Sequence, residues 1–198
     1  MANEISSLAC PSCGAPVEMK AKTCNFCRQP VIISTFNSVQ NMTSGDLNKY
    51  AASYRKSLSE NPNNPEINGS LGMCYLKLGL YDNATKAFAK AIEKDIDNSE
   101  IYFYAAISLL GGKKAFLIQR PVIDQIEQYI NAAISLESSR GIYFYFQAYI
   151  KYDYYFRKKF KTEPTYEECL TTAVEAGLSE NDKVQLFDIL KVSKPEKF

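Results

Sequence analysis

From residue 46 to residue 190, apolar residues recur three and four apart, in runs separated by glycine or short polar stretches. That period marks amphipathic helices. The middle of the chain shows it best. Leu71, Tyr75 and Leu78 share one helix face, and Ala84, Phe88, Ala91 and Ile92 share another. Gly79 breaks the pattern between them, and Asp82 is placed to cap the second helix. An earlier helix is read in "DLNKYAASYRKSLSENPNN", with Tyr54 and Leu58 on its apolar face. Later ones are read in "SEIYFYAAISLL" and "VIDQIEQYINAAISLE", separated by the insertion "GGKKAFLIQR". Gly111-Gly112 suits the end of one helix and Pro121 the first turn of the next. "GIYFYFQAYIKYDYYFRKKF" predicts about 20 residues of helix, followed by "TYEECLTTAVEAG" and a last helix in "ENDKVQLFDILKV". Thr43 with Asp46, Thr165 with Glu168 and Ser179 with Asp182 are spaced as capping pairs, and Gly177 reads as a residue just past a helix end.

The first 45 residues show no such period. "VIIST" is β-branched and is expected to close a small N-terminal β unit as its last strand. "FNSVQNMTSG" reads as a polar linker.

Residues 65–98, 34 in number, are similar to a tetratricopeptide (TPR) repeat in both period and positions. Leu71 and Gly72 stand at that family's Leu-Gly pair, and Tyr75 and Phe88 at its aromatic positions. Ala84 and Ala91 stand at its small positions. Asn68 replaces its tryptophan and Ile96 its late proline. The resemblance extends with less detail over about residues 46–178. It implies αα-hairpins that stack, because one hairpin cannot bury its own apolar face. It also implies a concave groove for a peptide. The groove positions fall on Gly69, Met73, Leu76 and Lys77, then on Phe103, Ile107 and Leu110, then on Phe144, Ala148 and Tyr152. Gly69 and Met73 stand where a carboxylate-clamping member has lysine and asparagine, so the expected groove is apolar. It would take a partner's hydrophobic segment or be filled by the chain's own last helix.

The chain has 198 residues, a formal net charge of +1 and no histidine. Histidine-dependent catalysis and mixed Cys/His metal sites are therefore absent. No apolar run is long enough to span a bilayer. "MANEISSLACPSC" lacks the charged and apolar regions of a signal peptide, so a cytoplasmic location with reduced thiols is expected.

Cys10, Cys13, Cys24 and Cys27 form C-x2-C, ten residues, C-x2-C. Two residues within each pair let a tight turn aim both sulfurs at one point, and four thiolates suit a tetrahedral ion. One structural Zn²⁺ is the expected cofactor; iron in the same thiolates, a pair of disulfides or redox C-x-x-C chemistry are the alternatives. Four cysteines leave a metal no open position for catalysis. Residues 8–34 resemble the short zinc ribbons of many prokaryotic proteins at the four cysteines, Pro11, Gly14 and Pro16. Arg28 departs from that pattern, standing where the ribbons often have glycine, and is a candidate contact residue. Three basic residues (Lys20, Lys22, Arg28) face three acids (Glu4, Glu18, Asp46) in this region, which is not the footprint of a phosphate binder.

Two further features need a reading. Residues 142–156 hold nine aromatic residues, too many for one helix face, so the helix is read as packed on several sides, with an aromatic ligand groove as the sharper alternative. Residues 140–161 carry six basic residues against one acid, and residues 162–190 carry seven acids against one lysine. Mutual neutralisation of the two is expected. Cys74 and Cys169 are read as core residues.

The expected architecture is mainly α: a TPR-like αα-hairpin solenoid of about three repeats plus capping helices, with a small N-terminal β zinc ribbon. Its divisions are a ribbon over 1–34, a linker over 35–45 and a repeat domain over 46–198. The expected function is a non-enzymatic adaptor for a protein or peptide. The alternative is a nucleic-acid-associated factor using the ribbon and the basic region 151–161.

Overall fold

The computed structural model describes residues 7–18, 21–196 and 198. The ribbon charges Glu4 and Lys20 lie outside these. The chain is mainly helical and divides into two compact units, Met1–Ile96 and Asp97–Phe198.

The first unit opens with strands β1 (Ser7–Ala9) and β2 (Pro16–Glu18), paired antiparallel with Ala9 opposite Pro16. A short helix α1 (Asn37–Gln40) follows, then α2 (Ser44–Glu60), α3 (Pro65–Leu78) and α4 (Tyr81–Ile92). The Thr43–Asp46 capping box forms at the start of α2. Asn64 caps α3 through the Ile67 N–H, and Gly79 ends α3 with a left-handed φ of 75°. Asp82 does not cap α4. Leu80 holds that position with no side-chain bond, and Asp82 sits in the first turn, where a carboxylate meets the positive end of the helix.

Helices α3 and α4 pack as a hairpin, with α2 against α3. The close approach depends on Gly72. A Cβ there would lie 2.5 Å from the Phe88 ring, and Phe88 is fully buried. Ala84 and Ala91 are buried beside it.

Two expectations fail in the segment between ribbon and α2. "VIIST" forms no strand: the pairing there is a single bridge of Thr23 with Pro30, next to the bond from Val31 N–H to the Lys22 carbonyl. Nor is 35–45 a free linker, since Val31, Ile33, Phe36 and Val39 are all buried. The reason is where the backbone bonds go. The Ile33 N–H donates to Ser70 Oγ at 2.9 Å, and the Tyr54 hydroxyl donates to the Val31 carbonyl at 2.7 Å. Helix side chains thus satisfy groups that a strand would have paired with a neighbour. The segment is a strap across α2 and α3.

The second unit contains α5 (Ser99–Leu110), a 3₁₀ turn at Ala115–Leu117, α6 (Arg120–Leu136), α7 (Gly141–Ile150), α8 (Tyr166–Glu175) and α9 (Glu180–Leu190). Helix α5 packs on α6, α7 on α8, and α9 lies against α5 and α7. The capping boxes of Thr165 with Glu168 and Ser179 with Asp182 both form. Gly111 and Gly177 take positive φ at the helix ends. At Gly141 a Cβ would lie 2.5 Å from the Leu178 nitrogen and 2.6 Å from the Ala173 oxygen, so α7 meets the end of α8 backbone to backbone.

The long aromatic helix is not one α-helix of 20 residues. It runs as α7 to Ile150 and continues as a π-helical turn, Lys151–Phe156. The wider turn seats Asp153 inside, 2% exposed. Asp153 accepts from the Phe116 N–H at 2.8 Å and from Arg157 Nη1 at 2.5 Å, and the first of these bonds fastens the 111–120 insertion to the helix. Tyr143, Tyr145, Phe146, Tyr149, Tyr154 and Tyr155 are buried, as packing on several sides requires.

The neutralisation of the basic stretch also needs correcting. Lys151 pairs with Glu127 of α6 at 2.7 Å, Arg157 with Asp153, and Arg140 with Glu100 and Glu137. These acids belong to α5, to α6 and its end, and to the π turn itself, whereas the charge count pointed to 162–190. Burial raises the Glu100 carboxyl, and Arg140 opposes the rise. Among the described residues, no helix is long and apolar enough to cross a membrane.

Candidate metal centre and partner surfaces

The two halves of the ribbon fold by one rule. In the first, the Cys10 N–H donates to the Ala15 carbonyl and the Gly14 N–H to the Cys10 carbonyl. In the second, the Cys24 N–H donates to the Gln29 carbonyl and the Arg28 N–H to the Cys24 carbonyl. Each turn needs a left-handed residue in its fifth position. Gly14 supplies it at φ 77° and Arg28 at φ 59°. Arg28 therefore adopts the backbone of the glycine it replaces, at a cost of about 1–2 kcal/mol for a residue with a Cβ.

The turns bring the four sulfurs within 4.8 Å of one another. Cys10 and Cys27 are 3.7 Å apart at sulfur, Cys13 and Cys24 3.8 Å. Zinc–sulfur bonds of about 2.3 Å make a tetrahedron with edges of about 3.8 Å, so the set fits that ion. The same spacing is far too long for disulfides. The N–H of Cys27, aided by that of Phe26, draws the Cys24 thiol down to about 7. Cys13 is drawn down by the Ala15 N–H, but desolvation and the neighbouring sulfurs carry it up to about 11. A cation at the centre would favour the thiolate at all four.

The ribbon is held to the helices by residues that the sequence reading passed over. Lys49 of α2 bonds the Ser12 carbonyl, and the Tyr50 hydroxyl donates to the Pro30 carbonyl at 3.0 Å. Nothing local marks these residues. Tyr50 and Tyr54 read as ordinary apolar-face positions of α2, and only their long-range partners give the hydroxyls a role.

The groove positions lie mostly inside. In the first unit Met73 and Leu76 are buried, 0% and 3% exposed, while Lys77 is half-buried with its ammonium 5.3 Å from the centre of the Phe36 ring. The strap that carries Phe36 covers them. In the second unit Phe103, Ile107 and Leu110 are buried, and Phe144 and Tyr152 are half-buried. Phe103 packs against Tyr143 and Phe146. Phe187 of α9 and Phe198 pack on Tyr145 and Tyr149, with ring centroids 5.4–6.3 Å apart. Cys74 and Cys169 are buried, and desolvation raises their thiols to about 12 and about 11, as for core residues.

Gly72 under Phe88, buried Ala84 and Ala91, and a hairpin turning at Gly79 are repeat features now seen in space. Residues 42–110 match the tetratricopeptide repeat family model. A four-cysteine cluster able to ligate a metal precedes this TPR segment. The solved structure "MamA MSR-1 C2" is similar at a TM-score of 0.50 and 17% identity, over 71% of this chain and 72% of that one. "MamA AMB-1 P212121" follows at 0.49 and 18%, over 75% and 74%. No curated protein matches the sequence. At such identities the first likeness concerns the fold, and it agrees with a TPR-like arrangement of helix hairpins.

Proposed function

We propose that this chain is a non-enzymatic adaptor that binds a partner protein through its TPR segment, with one structural zinc holding the ribbon. The observation that carries the reading is the repeat hairpin itself, in which Gly72 lets α3 and α4 close on Phe88 as one packed helical surface. Cys10, Cys13, Cys24 and Cys27 would hold the zinc, whose only contribution there is to fix the fold. The ribbon then serves as a rigid end-piece rather than as a module on a tether, and Arg28 is its exposed candidate contact. The buried groove residues act in packing, while Lys77, Phe144 and Tyr152 keep some exposure for contact. A cytoplasmic location suits the free thiols. Nucleic-acid binding through 151–161 is less well supported, because Lys151 and Arg157 are already paired with acids.

The test is crosslinking of the endogenous full chain, followed by purification with and without nuclease and identification of the crosslinked residues. A protein recovered in stoichiometric amount, resistant to nuclease and crosslinked to 42–110, is the expected result. Recovery that disappears with nuclease, or no recovery of protein, overturns the reading.

A further inference from the structure

One surface of the TPR segment remains open. Helices α2, α3 and α4 enclose a cleft of about 420 Å³. Its apolar lining comes from Leu58, Leu71 and Tyr75. Its depth follows from Asn68, which stands where a repeat of this kind has tryptophan. The short Asn68 side chain turns its amide to the Pro62 and Asn64 carbonyls, at 3.0 and 2.8 Å, and leaves the space beside Leu71 and Tyr75 unfilled. The cleft differs from the groove set above: Met73 and Ser70 lie on the part of α3 closed by the strap.

Every charged residue that lines the cleft is basic: Arg55, Lys86 and Lys90. All three are exposed, and among the described residues none of them forms an ion pair. Elsewhere Arg120, Arg140, Lys151, Arg157 and Lys183 each meet an acid. Three unpaired cations around an apolar floor call for a ligand with both kinds of group. Carboxylates would meet the cations, and an aromatic or branched apolar side chain would fill the space beside Asn68.

We infer that this cleft docks an acidic segment of a partner protein, one aromatic or aliphatic side chain of that segment entering beside Asn68. The inference rests on the adaptor reading and names its site and partner chemistry. It is tested by selecting binders to the full chain from a library of random displayed 12-residue peptides, then measuring their affinities by fluorescence anisotropy. Peptides rich in Asp and Glu with an apolar residue among them are expected. Charge reversal in the variant R55E/K86E/K90E should weaken them about tenfold or more, as the loss of three exposed charge pairs implies. Asn68→Trp should weaken them by filling the cleft. Because Asn68 is buried, circular dichroism checks that variant, and the surface charge reversal stands without it. Binders lacking acids, or acidic binders indifferent to the charge reversal, overturn the inference while leaving the adaptor reading in place. So does binding of a single-stranded RNA 20-mer that depends on the same three cations when no peptide is selected. Failure to select any peptide also overturns it, and the crosslinking experiment above then decides the adaptor reading separately.

Discussion

The two units are held together by different means. The first is tied by single hydrogen bonds between hydroxyls of α2 and α3 and the strap, and four cysteines able to ligate a metal converge near its N-terminal end. The second has no such knot among its described residues. It relies on an aromatic core around α7, whose Tyr143 and Phe146 are fully buried, and on acids that enter the interior to meet Lys151 and Arg157. A short β segment cannot bury enough apolar surface to fold unaided, so it requires a staple. A helical unit rich in tyrosine and phenylalanine has area to spare and can accommodate buried charge. The contrast is therefore between a covalent-like constraint and a packed core, and variants can test each separately.

The largest effect should come from the metal. Chelation, or Cys24→Ser, is expected to unfold residues 10–40 and leave the second unit intact, since apparent zinc affinities of about 10–16 kcal/mol support such sites. Metal analysis should find one zinc per chain before chelation. Hydrogen exchange should then show loss of protection at Val31 and Ile33 but not at Tyr143 and Phe146. Simultaneous loss at both would break the comparison. The next effect belongs to the second unit. Lys151→Met takes the cation from Glu127, which is 17% exposed at its side chain and keeps the Tyr155 hydroxyl, and should destabilise that unit by about 3 kcal/mol. Adding Glu127→Leu should recover most of the loss, and urea unfolding of the two variants measures the difference. If the single variant is as stable as the parent, the buried pair has no role in holding the unit.

Smaller effects probe the latch and the knuckle. Tyr54→Phe leaves the Val31 carbonyl buried without its donor, and should lower the stability of the first unit by about 1–3 kcal/mol. Faster exchange confined to residues 30–40 is the expected signature. Arg28→Gly should raise stability by about 1 kcal/mol, by relieving the left-handed strain without touching a sulfur. A lowered zinc affinity in that variant would show that the Arg28 side chain supports the site.

Much of this was legible beforehand, in particular places. The left-handed glycines Gly14, Gly79, Gly111 and Gly177 and the capping boxes at Thr43, Thr165 and Ser179 depend on residues within one turn of each other, so their pattern survives in a linear reading. Asp82 misled because the chain enters α4 tightly after Gly79, which moves the start of the helix by two residues. The π turn was invisible because its cause, a seat for Asp153 against Phe116, joins residues 37 apart. The expected groove residues fall on helices α3, α5 and α7 and the π turn, but most of them are buried, and the segments that pack near them carry no mark in the sequence of where they will lie.

By itself the sequence determined most of the helices, the ends marked by capping boxes and left-handed glycines, the pairing of α3 with α4 and the convergence of four cysteines. Each of these follows from side-chain spacing and from backbone freedom at single positions. Only the tertiary structure decided that the linker is a strap, that Met73, Leu76, Phe103, Ile107 and Leu110 are buried and that an all-basic cleft stays open beside Asn68. Those outcomes depend on bonds such as Ile33 to Ser70 and Val31 to Tyr54, across 37 and 23 residues, where the choice of partner is a matter of which buried polar groups remain to be satisfied.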